Sequence, residues 1–395
     1  MRIYFDHNAT TPVAPSVVEA VSRIMRDQFG NASSIHSFGQ TAKAALDDAR
    51  AAVAELVGGQ PSEIVFTSGG TESDNLAIRG VAEASLPSRR KHLIASSIEH
   101  EAVLNTLIAL TKRGWRTTLL PVDQNGIVDP EQLKNVITDD TVLVSIMQAN
   151  NEIGTLQPVR ELAAISHEHG ALFHTDAVQA AGKIAMTVDD LGVDLLSLSA
   201  HKFNGPKGVG ALWNRRGSRL ISTMTGGRQE RNRRAGTENV AGIVGLGTAA
   251  RLAAAKIATD APLLAALRDK LERGILARVP GTLVNGDRTA RVPNTTNISF
   301  DRVEAESLLI ALDLEGVAVS TGSACSSGTL EPSHVLRAMG FSSHRTQNSI
   351  RFSLGLGNTE TEVDRVLDVL PPVIEKLRRL SRVGTRAHTE SGTAT

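Results

Sequence analysis

The amino-acid sequence predicts an α/β protein, with a large domain built on a mostly parallel sheet flanked by helices and a smaller α+β domain after it. Short apolar segments alternate with helical stretches between about residues 60 and 215, the order of elements expected for a parallel sheet covered by helices. Polar residues and glycines follow directly after several of these segments. The pattern changes after a long helical stretch that ends near residue 258, and the mixed strands and helices beyond it predict the second domain.

The strands of the large domain are predicted from short runs of β-branched and aliphatic residues. Thr141–Met147 is almost unbroken in apolar character, as expected for a strand covered on both faces. Val159–His169 is amphipathic and stops at Gly170, which favours a helix with a glycine after its last turn. The predicted strands span 63–67, 92–96, 115–120, 141–147, 171–175, 195–199 and 209–213, and the helices between them include 72–84 and 159–169.

The second part of the chain mixes helices with strands. Helices are expected over 239–258, 262–279, 304–313 and 360–380, and strands near 282–285, 294–300 and 349–354. No run of proline, glycine and serine marks a linker, so the domain boundaries depend on the order of the elements. We predict a large domain over 15–258, a small domain formed by 1–14 with 259–383, and a disordered tail over 384–395, whose residues are mostly small and polar.

Charge and cysteine content narrow the function classes. Lys plus Arg is 42 and Asp plus Glu is 42, so the formal net charge is zero, and neither DNA nor a membrane surface is an expected partner. No signal peptide is recognisable, and no uninterrupted apolar run has the ~18 residues of a membrane span. The only cysteine, Cys325, cannot form a disulfide within the chain or a multi-cysteine metal site, so no metal is expected. A lone thiol fits a reducing compartment, which predicts a cytoplasmic location.

The densest basic stretch of the chain lies beyond the last predicted strand of the large domain. It consists of Arg228, Arg231, Arg233 and Arg234, interrupted by Glu230. Such a stretch is either a solvated loop or a contact for an anion or a partner chain. The sequence leaves both interpretations open.

Residues just beyond the strands are the candidates for function, because ligands in open α/β sheets bind outside the carboxyl ends of the strands. Ser68-Gly-Gly-Thr71 follows a strand and opens a helix, and its glycines and free N–H groups would let a phosphate approach the backbone. The same segment is compatible with a tight turn and a helix N-cap. His100 follows the strand at 92–96 and is either a catalytic residue or an ordinary packing or surface residue.

Two further strand ends carry charged residues that are costly to bury. Asp176 follows the strand at 171–175, and a carboxylate of this kind pairs with the protonated pyridine nitrogen of pyridoxal phosphate (PLP). Lys202 follows the strand at 195–199, where a desolvated amine could form a Schiff base with the PLP aldehyde. Their separation, 202 − 176 = 26 residues, leaves room for one crossover. A phosphate cradle, a ring acid and a lysine at successive strand ends together predict a PLP site.

Two residues of the small domain stand out from their surroundings. Cys325 lies in the segment 320–328, which is rich in glycine and serine, and a polar loop favours a reactive thiol over an inert packing residue. Arg351 interrupts the apolar strand 349–353. An arginine there requires a carboxylate partner, and its fork suits the α-carboxylate of an amino-acid substrate.

With these residues in place, the sequence resembles the NifS/IscS-type cysteine desulfurases, a family of class V, fold-type I PLP-dependent enzymes. The resemblance implies the fold-type I architecture, and the motifs that carry it occur in family order from residue 4 to residue 355. They are Tyr4-Phe-Asp-His-Asn-Ala-Thr-Thr-Pro12, Thr67-Ser-Gly-Gly-Thr-Glu-Ser-Asp-Asn75, Glu99-His100, Asn150-Asn-Glu-Ile-Gly154, His174-Thr-Asp-Ala-Val-Gln179, Ser199-Ala-His-Lys202, Arg234-Ala-Gly-Thr-Glu-Asn239, Gly322-Ser-Ala-Cys325 and Ser349-Ile-Arg-Phe-Ser-Leu-Gly355.

The resemblance implies a role for each site residue. The catalytic residues are Lys202, which carries PLP, Cys325, which forms the persulfide, and His100, which stacks on the ring and shuttles protons. The other cofactor-binding residues are Gly70, Thr71, Ser199 and His201 at the phosphate, Asp176 at the ring nitrogen, Gln179 at the ring hydroxyl, and Thr237 at the phosphate in the partner subunit of a homodimer. Asn151 and Arg351 bind the substrate carboxylate.

The implied activity is the conversion of L-cysteine to L-alanine, with the sulfur passed through Cys325 to an acceptor protein such as an iron–sulfur scaffold. Iron–sulfur assembly, nitrogenase-cluster maturation and tRNA thiolation are all compatible with the sequence. A selenocysteine lyase or a class V aminotransferase would have the same cofactor site, although an aminotransferase has no use for a loop thiol. A non-catalytic scaffold for sulfur-transfer assembly is the alternative from another class, and an intact Lys202, Asp176 and Cys325 disfavour it.

Overall fold

The structure is a computed structural model that describes residues 2–322 and 332–390. Its strands are β1 (Ile3–Tyr4), β2 (Ile64–Thr67), β3 (His92–Ser96), β4 (Arg116–Leu120), β5 (Thr141–Ser145), β6 (Leu172–Asp176), β7 (Leu195–Ser199), β8 (Gly210–Asn214), β9 (Thr282–Asn285), β10 (Thr295–Phe300), β11 (Val317–Ala318) and β12 (Ser349–Ser353). Its helices are α1 (Pro15–Asp27), α2 (Ser37–Val57), α3 (Gly70–Ser85), α4 (Glu101–Thr111), α5 (Pro130–Val136), α6 (Val159–Glu168), α7 (Val188–Leu191), α8 (Gln229–Asn232), α9 (Val240–Arg278), α10 (Ala305–Leu314), α11 (His334–Ala338), α12 (Ser343–Gln347) and α13 (Glu360–Glu390).

A seven-stranded sheet has the order β2-β8-β7-β6-β5-β3-β4, and it contains every strand predicted for the large domain. Its pairs are parallel except those of β8, which runs antiparallel to β2 and β7. Side chains alternate between two apolar clusters, so that Leu195 of β7 joins one and Leu196 the other. Helices cover both faces, and the predicted α/β class is confirmed.

A third apolar cluster lies under a smaller antiparallel sheet with the order β12-β10-β9. The N-terminal arm packs with this part of the chain, because β1 pairs in parallel with β11 and Asp6 forms a bridge with Ser353. Phe5 and Phe352 are both fully buried in this cluster. The division into domains at the predicted residues stays a prediction.

Helix α9 differs from the prediction of two helices over 239–258 and 262–279. It is continuous for 39 residues with Pro262 inside it, so the predicted boundary at 258 falls within a helix. Proline removes one N–H donor, but close packing on either side holds the helix. Gly247 lies against Ala49 of α2, and Gly274 lies against Leu367 of α13. The helix at the chain's end also runs past its predicted limit of 380, to residue 390.

Helix α9 is also the one helix among the described residues that is long and apolar enough to cross a membrane by length and composition. Its apolar residues are interrupted by Arg251 and Lys256, so they do not form one continuous apolar run in the sequence. Small residues in its first half explain the composition, since Gly245 and Gly247 let α1, α2 and the loop at Pro206 approach closely. This half of α9 therefore packs in the apolar core beside the large sheet.

Candidate active site

The sheet brings three loops to one edge. Gly210 of β8 pairs with Thr67 at the end of β2 on one side and with Ser199 at the end of β7 on the other. Strand β6, which ends at Asp176, is the next neighbour of β7. Because β2, β7 and β6 all run in the same direction, the residues that follow them meet at the same edge.

The loop between β2 and α3 has the geometry of an anion cradle. Helix α3 begins at Gly70, and Gly69 before it has a φ of 154° that favours glycine. A Cβ atom on Gly70 would lie 2.8 Å from Val178 Cγ2, and one on Gly69 would lie 3.8 Å from Ser199 Oγ. Thr71 is exposed in the first turn, where the N–H groups have no partner within the helix. The loop therefore presents backbone donors and a hydroxyl beside Ser199.

Lys202 lies at the end of a short 3₁₀ turn that directly follows β7. Its Nζ donates to the backbone oxygens of Asn8 at 2.6 Å and Ala9 at 2.9 Å, so the N-terminal arm positions the amine. Burial, reinforced by the positive charge of Arg351, lowers the pKa of this amine from 10.5 to about 8. Near pH 8 about half of the amine is therefore neutral, which is the form that attacks an aldehyde.

Asp176 is buried, and its Oδ1 accepts a hydrogen bond from the backbone N–H of Val178 at 2.9 Å. Burial raises the pKa of this carboxyl, while the charges of His100 and Lys202 lower it. His100 and Lys202 thus both lie close enough to act electrostatically on Asp176. A further cation next to this carboxyl, such as a protonated ring nitrogen, would lower its pKa further and favour the charged form.

Two more buried acids lie near Asp176. Burial and the charge of Asp176 raise the pKa of Asp74 well above its usual range. Burial also raises the pKa of Glu99 to about 8, although Glu99 accepts hydrogen bonds from Ser96 Oγ at 2.5 Å and from the Met147 backbone N–H at 3.0 Å. Of the three carboxyls, Asp176 is the one at which the charge of a neighbouring lysine, Lys202, opposes the increase in pKa caused by burial.

His100 and His201, the two histidines predicted to belong to the site, have different surroundings. His100 is exposed at the N-terminus of α4, and its Nδ1 accepts a hydrogen bond from the Ala102 N–H at 3.1 Å, which puts the proton of the neutral ring on Nε2. His201 Nδ1 lies 3.1 Å from Thr10 Oγ1. Burial and the nearby charge of Lys202 lower the pKa of His201 to about 4. His201 is therefore a neutral hydrogen-bonding group at physiological pH.

Arg351 lies in the middle of β12 and is buried. Its guanidinium donates to Asp6 Oδ1 at 2.7 Å and to the backbone oxygen of Asn151 at 2.9 Å, and its Nε has no partner among the described residues. The carboxylate that the sequence requires for Arg351 is therefore supplied within the chain by Asp6. The backbone of Arg351 pairs with Ser320, a few residues before Cys325 in the chain.

Three predicted site residues remain to be placed. Gln179 lies beside Lys202, and both donate hydrogen bonds to the backbone oxygen of Asn8. Thr237 is exposed and lines a cavity of about 200 Å³ together with Ser68, the residue before the cradle. Cys325 lies outside the described residues, so its role stays a prediction.

The basic stretch turns out to be held by its own chain. Arg234 forms an ion pair with Glu72 at 2.8 Å, while Arg231 and Arg233 donate to the backbone oxygen of Ser62. These contacts make the stretch a structured loop rather than a free cluster of cations. The loop places Thr237 next to the cradle.

Sequence reasoning assigns no role to three residues that the structure brings to this site. Asn8 bonds both to Gln179 and Lys202 and to Asn151 and Thr295, so it connects the two sheets. Asp6 pairs with Arg351, and Lys183 contacts Asn8 and Gln179. Asp6 and Asn8 lie in the first of the family motifs, which is the only signal that could have found them.

Comparison with known proteins agrees with this arrangement. The profile of the aminotransferase class-V family matches residues 3–366. A relative described as "Cysteine desulfurase IscS" from Dictyoglomus turgidum is 52% identical over 96% of each chain. A solved "NifS-like protein" covers 96% of this chain and 99% of its own, with a TM-score of 0.87 and 39% identity. The structure titled "SspA in complex with cysteine" covers 90% of this chain and 99% of its own, with a TM-score of 0.78 and 36% identity.

The chain belongs to the aminotransferase class-V family, whose fold its two sheets and helical layers reproduce. Within that family the similarity extends over nearly the whole chain to proteins named cysteine desulfurase. The chain is accordingly an enzyme of the cysteine desulfurase type.

Proposed function

We propose that the chain binds PLP at the shared edge of β2, β6 and β7, converts L-cysteine to L-alanine, and takes the sulfur onto Cys325 as a persulfide. The observation that carries this proposal is the Lys202 amine, which lies at that edge with its pKa lowered to about 8. The cysteine bound in the SspA structure supports the choice of substrate, since that protein is 36% identical to this chain.

The residues at the edge fit PLP. The exposed N-terminus of α3, with Thr71 and Ser199 beside it, suits a phosphate group. Asp176 is a buried carboxyl that suits a ring-nitrogen cation, and Gln179 suits the ring hydroxyl. Lys202 would hold the aldehyde carbon. His201 would add a neutral donor at the phosphate, and His100 would cover the ring.

PLP, when bound, supplies an electron sink that makes the Cα proton of an amino acid acidic. The side chains of the enzyme supply the proton transfers and the substrate position. Lys202 would be the base that removes the Cα proton, and a pKa near 8 suits that task near neutral pH. Arg351 and Asn151 bind the substrate carboxylate, which then takes the place of Asp6 at the guanidinium.

The sulfur transfer balances without an external oxidant. The thiolate of Cys325 forms a bond to the substrate sulfur while the Cβ–Sγ bond of the substrate breaks. The electron pair of the broken bond stays on carbon, which takes up a proton as L-alanine forms. L-cysteine and the enzyme thiol thus give L-alanine and an enzyme persulfide. The thiolate is the reacting form, and a free thiol has a pKa of about 8.5, so a nearby proton acceptor would help.

Assembly, location and sulfur delivery are further parts of the proposal. We propose a homodimer in which Thr237 reaches the phosphate site of the partner subunit, which its exposed position on the loop after α8 allows. The persulfide is proposed to pass to an acceptor protein such as an iron–sulfur scaffold, in the cytoplasm. Membrane and DNA have no part in this function.

Products and protein mass together test the function. The purified protein is incubated briefly with L-cysteine, and alanine, sulfide and the mass of the intact chain are measured. Alanine in amounts equal to the sulfur transferred, with one sulfur atom added at Cys325, is the expected result. Cys325→Ser should keep the colour of bound PLP but release no sulfide, and normal sulfide release would overturn the role of Cys325.

The same assay separates the alternatives. Faster turnover of selenocysteine than of cysteine would indicate a selenocysteine lyase, and amino transfer between alanine and a keto acid would indicate an aminotransferase. A folded protein without PLP and without product would indicate a non-catalytic scaffold.

A further inference from the structure

Lys183 is a buried lysine that the proposed function does not use. It is 8% exposed, although a lysine is almost never buried to this degree without a partner. Its Nζ lies 2.6 Å from Gln179 Oε1 and 3.0 Å from Asn8 Oδ1. Both partners are neutral amides, so Lys183 has no carboxylate to compensate its charge at these contacts.

The local backbone holds Lys183 in this place. Gly182 before it has a φ of 74°, and a Cβ atom there would lie 2.6 Å from Phe203 Cβ. The Lys183 N–H donates to the Ala180 oxygen, which closes the turn after Gln179. Burial, together with the positive charges of Lys202 and Arg351, lowers the pKa of Lys183 well below its usual value. The amine therefore remains in a fixed position at a real electrostatic cost.

An amine that donates hydrogen bonds to two side-chain amides favours the orientation in which each amide oxygen faces the amine. A lysine amine has N–H donors whether it is protonated or neutral, while an asparagine or glutamine side chain offers an oxygen acceptor at one end and an NH₂ donor at the other. The two ends have nearly the same shape, so only their hydrogen-bond partners select the orientation. Lys183 therefore holds the oxygens of Gln179 and Asn8 toward itself, and the backbone oxygens that accept from the two NH₂ ends favour the same orientation.

The other end of the Gln179 amide then faces the proposed cofactor site. Gln179 Nε2 donates one hydrogen to the Asn8 backbone oxygen at 3.0 Å, and its second hydrogen has no acceptor among the described residues. The Lys202 amine donates to the same Asn8 oxygen at 2.6 Å. The remaining N–H of Gln179 is thus close to the lysine that would hold the aldehyde.

The orientation of the Asn8 amide likewise determines which of its atoms faces the proposed substrate-binding residues. With its oxygen occupied by Lys183 and by Asn294 Nδ2, its Nδ2 donates to the Asn151 backbone oxygen at 3.1 Å and to Thr295 Oγ1 at 2.8 Å. The Asn151 oxygen also accepts from Arg351. The Lys183 amine thus contacts Gln179 near the proposed cofactor and Asn8, which bonds to Asn151 near the proposed substrate.

We infer that Lys183 is a positioning residue that fixes the amide orientation of Gln179, so that an N–H of Gln179 and not its oxygen faces the ring hydroxyl of PLP. This inference rests on the proposed function. An N–H donor stabilises the negative charge on that ring oxygen, whereas a reversed amide would place an oxygen against it. Loss of this donor should raise the pH at which the visible absorbance of bound PLP changes. Without the donor, the negatively charged ring oxygen attracts a neighbouring proton more strongly, so that proton leaves only at a higher pH.

The test is a pH titration of the visible absorbance of the PLP-loaded protein, which does not depend on turnover. Lys183→Met keeps the length and the apolar stem of the side chain but removes the donors. We expect the titration midpoint to rise by about one pH unit, the size of one hydrogen bond to a charged group. Lys256→Met, at an exposed lysine of α9, is the matched control and should leave the midpoint unchanged.

A double variant separates orientation from general packing. In a Gln179→Leu background there is no amide to orient, so adding Lys183→Met should give no further shift. An equal shift in both backgrounds, or no shift in the single variant, would overturn the inference. If Lys183→Met does not fold, Lys183→Arg replaces it, since arginine retains N–H donors for the two amide oxygens. That variant should leave the midpoint unchanged, and a rise of about one pH unit would overturn the inference.

Failure of the proposed function would look different. A wild-type protein that binds no PLP has no visible absorbance to titrate at any pH. That result would contradict the cofactor assignment, while a normal wild-type titration with an unresponsive Lys183 variant contradicts only the role of Lys183.

Discussion

The two sides of the site are built in different ways. The proposed cofactor side, called the cofactor side below and defined as Gly70, Asp176, Ser199 and Lys202, comes from the carboxyl ends of neighbouring strands in one sheet. The proposed substrate side, called the substrate side below and defined as Asp6, Asn8, Asn151 and Arg351, joins the N-terminal arm to a loop of the large sheet and a strand of the small one. Arg351 and Asp6 are 345 residues apart in the chain and 2.7 Å apart in space.

The difference explains how the two sides are held. The cofactor side is positioned by backbone pairing within the sheet, whose strands are almost fully buried. The substrate side is positioned by side-chain hydrogen bonds that end on Asn8 and Arg351. We therefore expect changes on the cofactor side to abolish the chemistry and changes on the substrate side to weaken binding.

Lys202→Ala should have the largest effect. Without the amine no covalent link to PLP can form and no base remains for the Cα proton, so the visible absorbance and all measurable turnover should be lost. Absorbance spectra and alanine production check this. Lys207→Ala, at an exposed lysine nearby in the chain, is the matched control and should retain both.

Asp176→Asn should have the next largest effect. An amide cannot stabilise a protonated ring nitrogen, so the electron sink weakens while PLP still binds. We expect kcat to fall by about 100-fold or more, equivalent to ~2.7 kcal/mol in the activation barrier. Steady-state kinetics measure the fall, and a kcat within a few-fold of wild type would show that Asp176 does not contact the ring.

Arg351→Lys should separate the two sides most clearly. Lysine keeps the charge but loses the two-pronged contact with a carboxylate, so binding weakens more than catalysis. We expect KM for L-cysteine to rise by about tenfold with a smaller change in kcat. A large loss of kcat with unchanged KM would contradict a role in substrate binding and would show that Arg351 acts in the chemical step.

The pH dependence of cofactor binding sharpens the comparison. Because the pKa of Lys202 is lowered to about 8, half of the amine is neutral near pH 8, and the neutral fraction levels off about one pH unit higher. The rate at which the PLP-free protein takes up PLP should therefore reach half of its maximum near pH 8 and flatten about one pH unit above it. Stopped-flow absorbance checks this, and a rate still rising toward pH 10 would indicate an ordinary, exposed amine.

Glu99→Gln should have the smallest effect. Burial raises the pKa of Glu99 to about 8, so its carboxyl is mostly protonated and neutral at pH 7. A neutral amide of similar shape should keep activity within a few-fold and the melting temperature within a few degrees. Thermal melts and kinetics at pH 7 measure both, and a loss comparable to that of Asp176→Asn would contradict a neutral Glu99.

The sequence predicts that the residues of the proposed cofactor side lie together, because polar and charged residues directly after buried parallel strands meet at one edge of the sheet. Lys202, Asp176 and Ser199 follow that rule, and the structure places them at one edge. Asp6, Asn8 and Lys183 acquire their roles only through contacts between distant segments, so no local pattern reveals them. The predicted break between two helices near Pro262 is wrong for a related reason. Packing on both sides of this proline keeps α9 continuous, and that packing involves distant segments of the chain.

Two lysines near the site, the buried Lys183 and the half-buried Lys202, make the central claim directly testable. Lys202 is held by backbone oxygens of the arm, and Lys183 is held by the amides of Asn8 and Gln179. Reduction of the PLP-loaded protein with borohydride makes the covalent link permanent, and peptide mass spectrometry then locates it. We predict that PLP is attached at Lys202 alone. Attachment at Lys183, or a reduced protein with no PLP attached, would contradict this account.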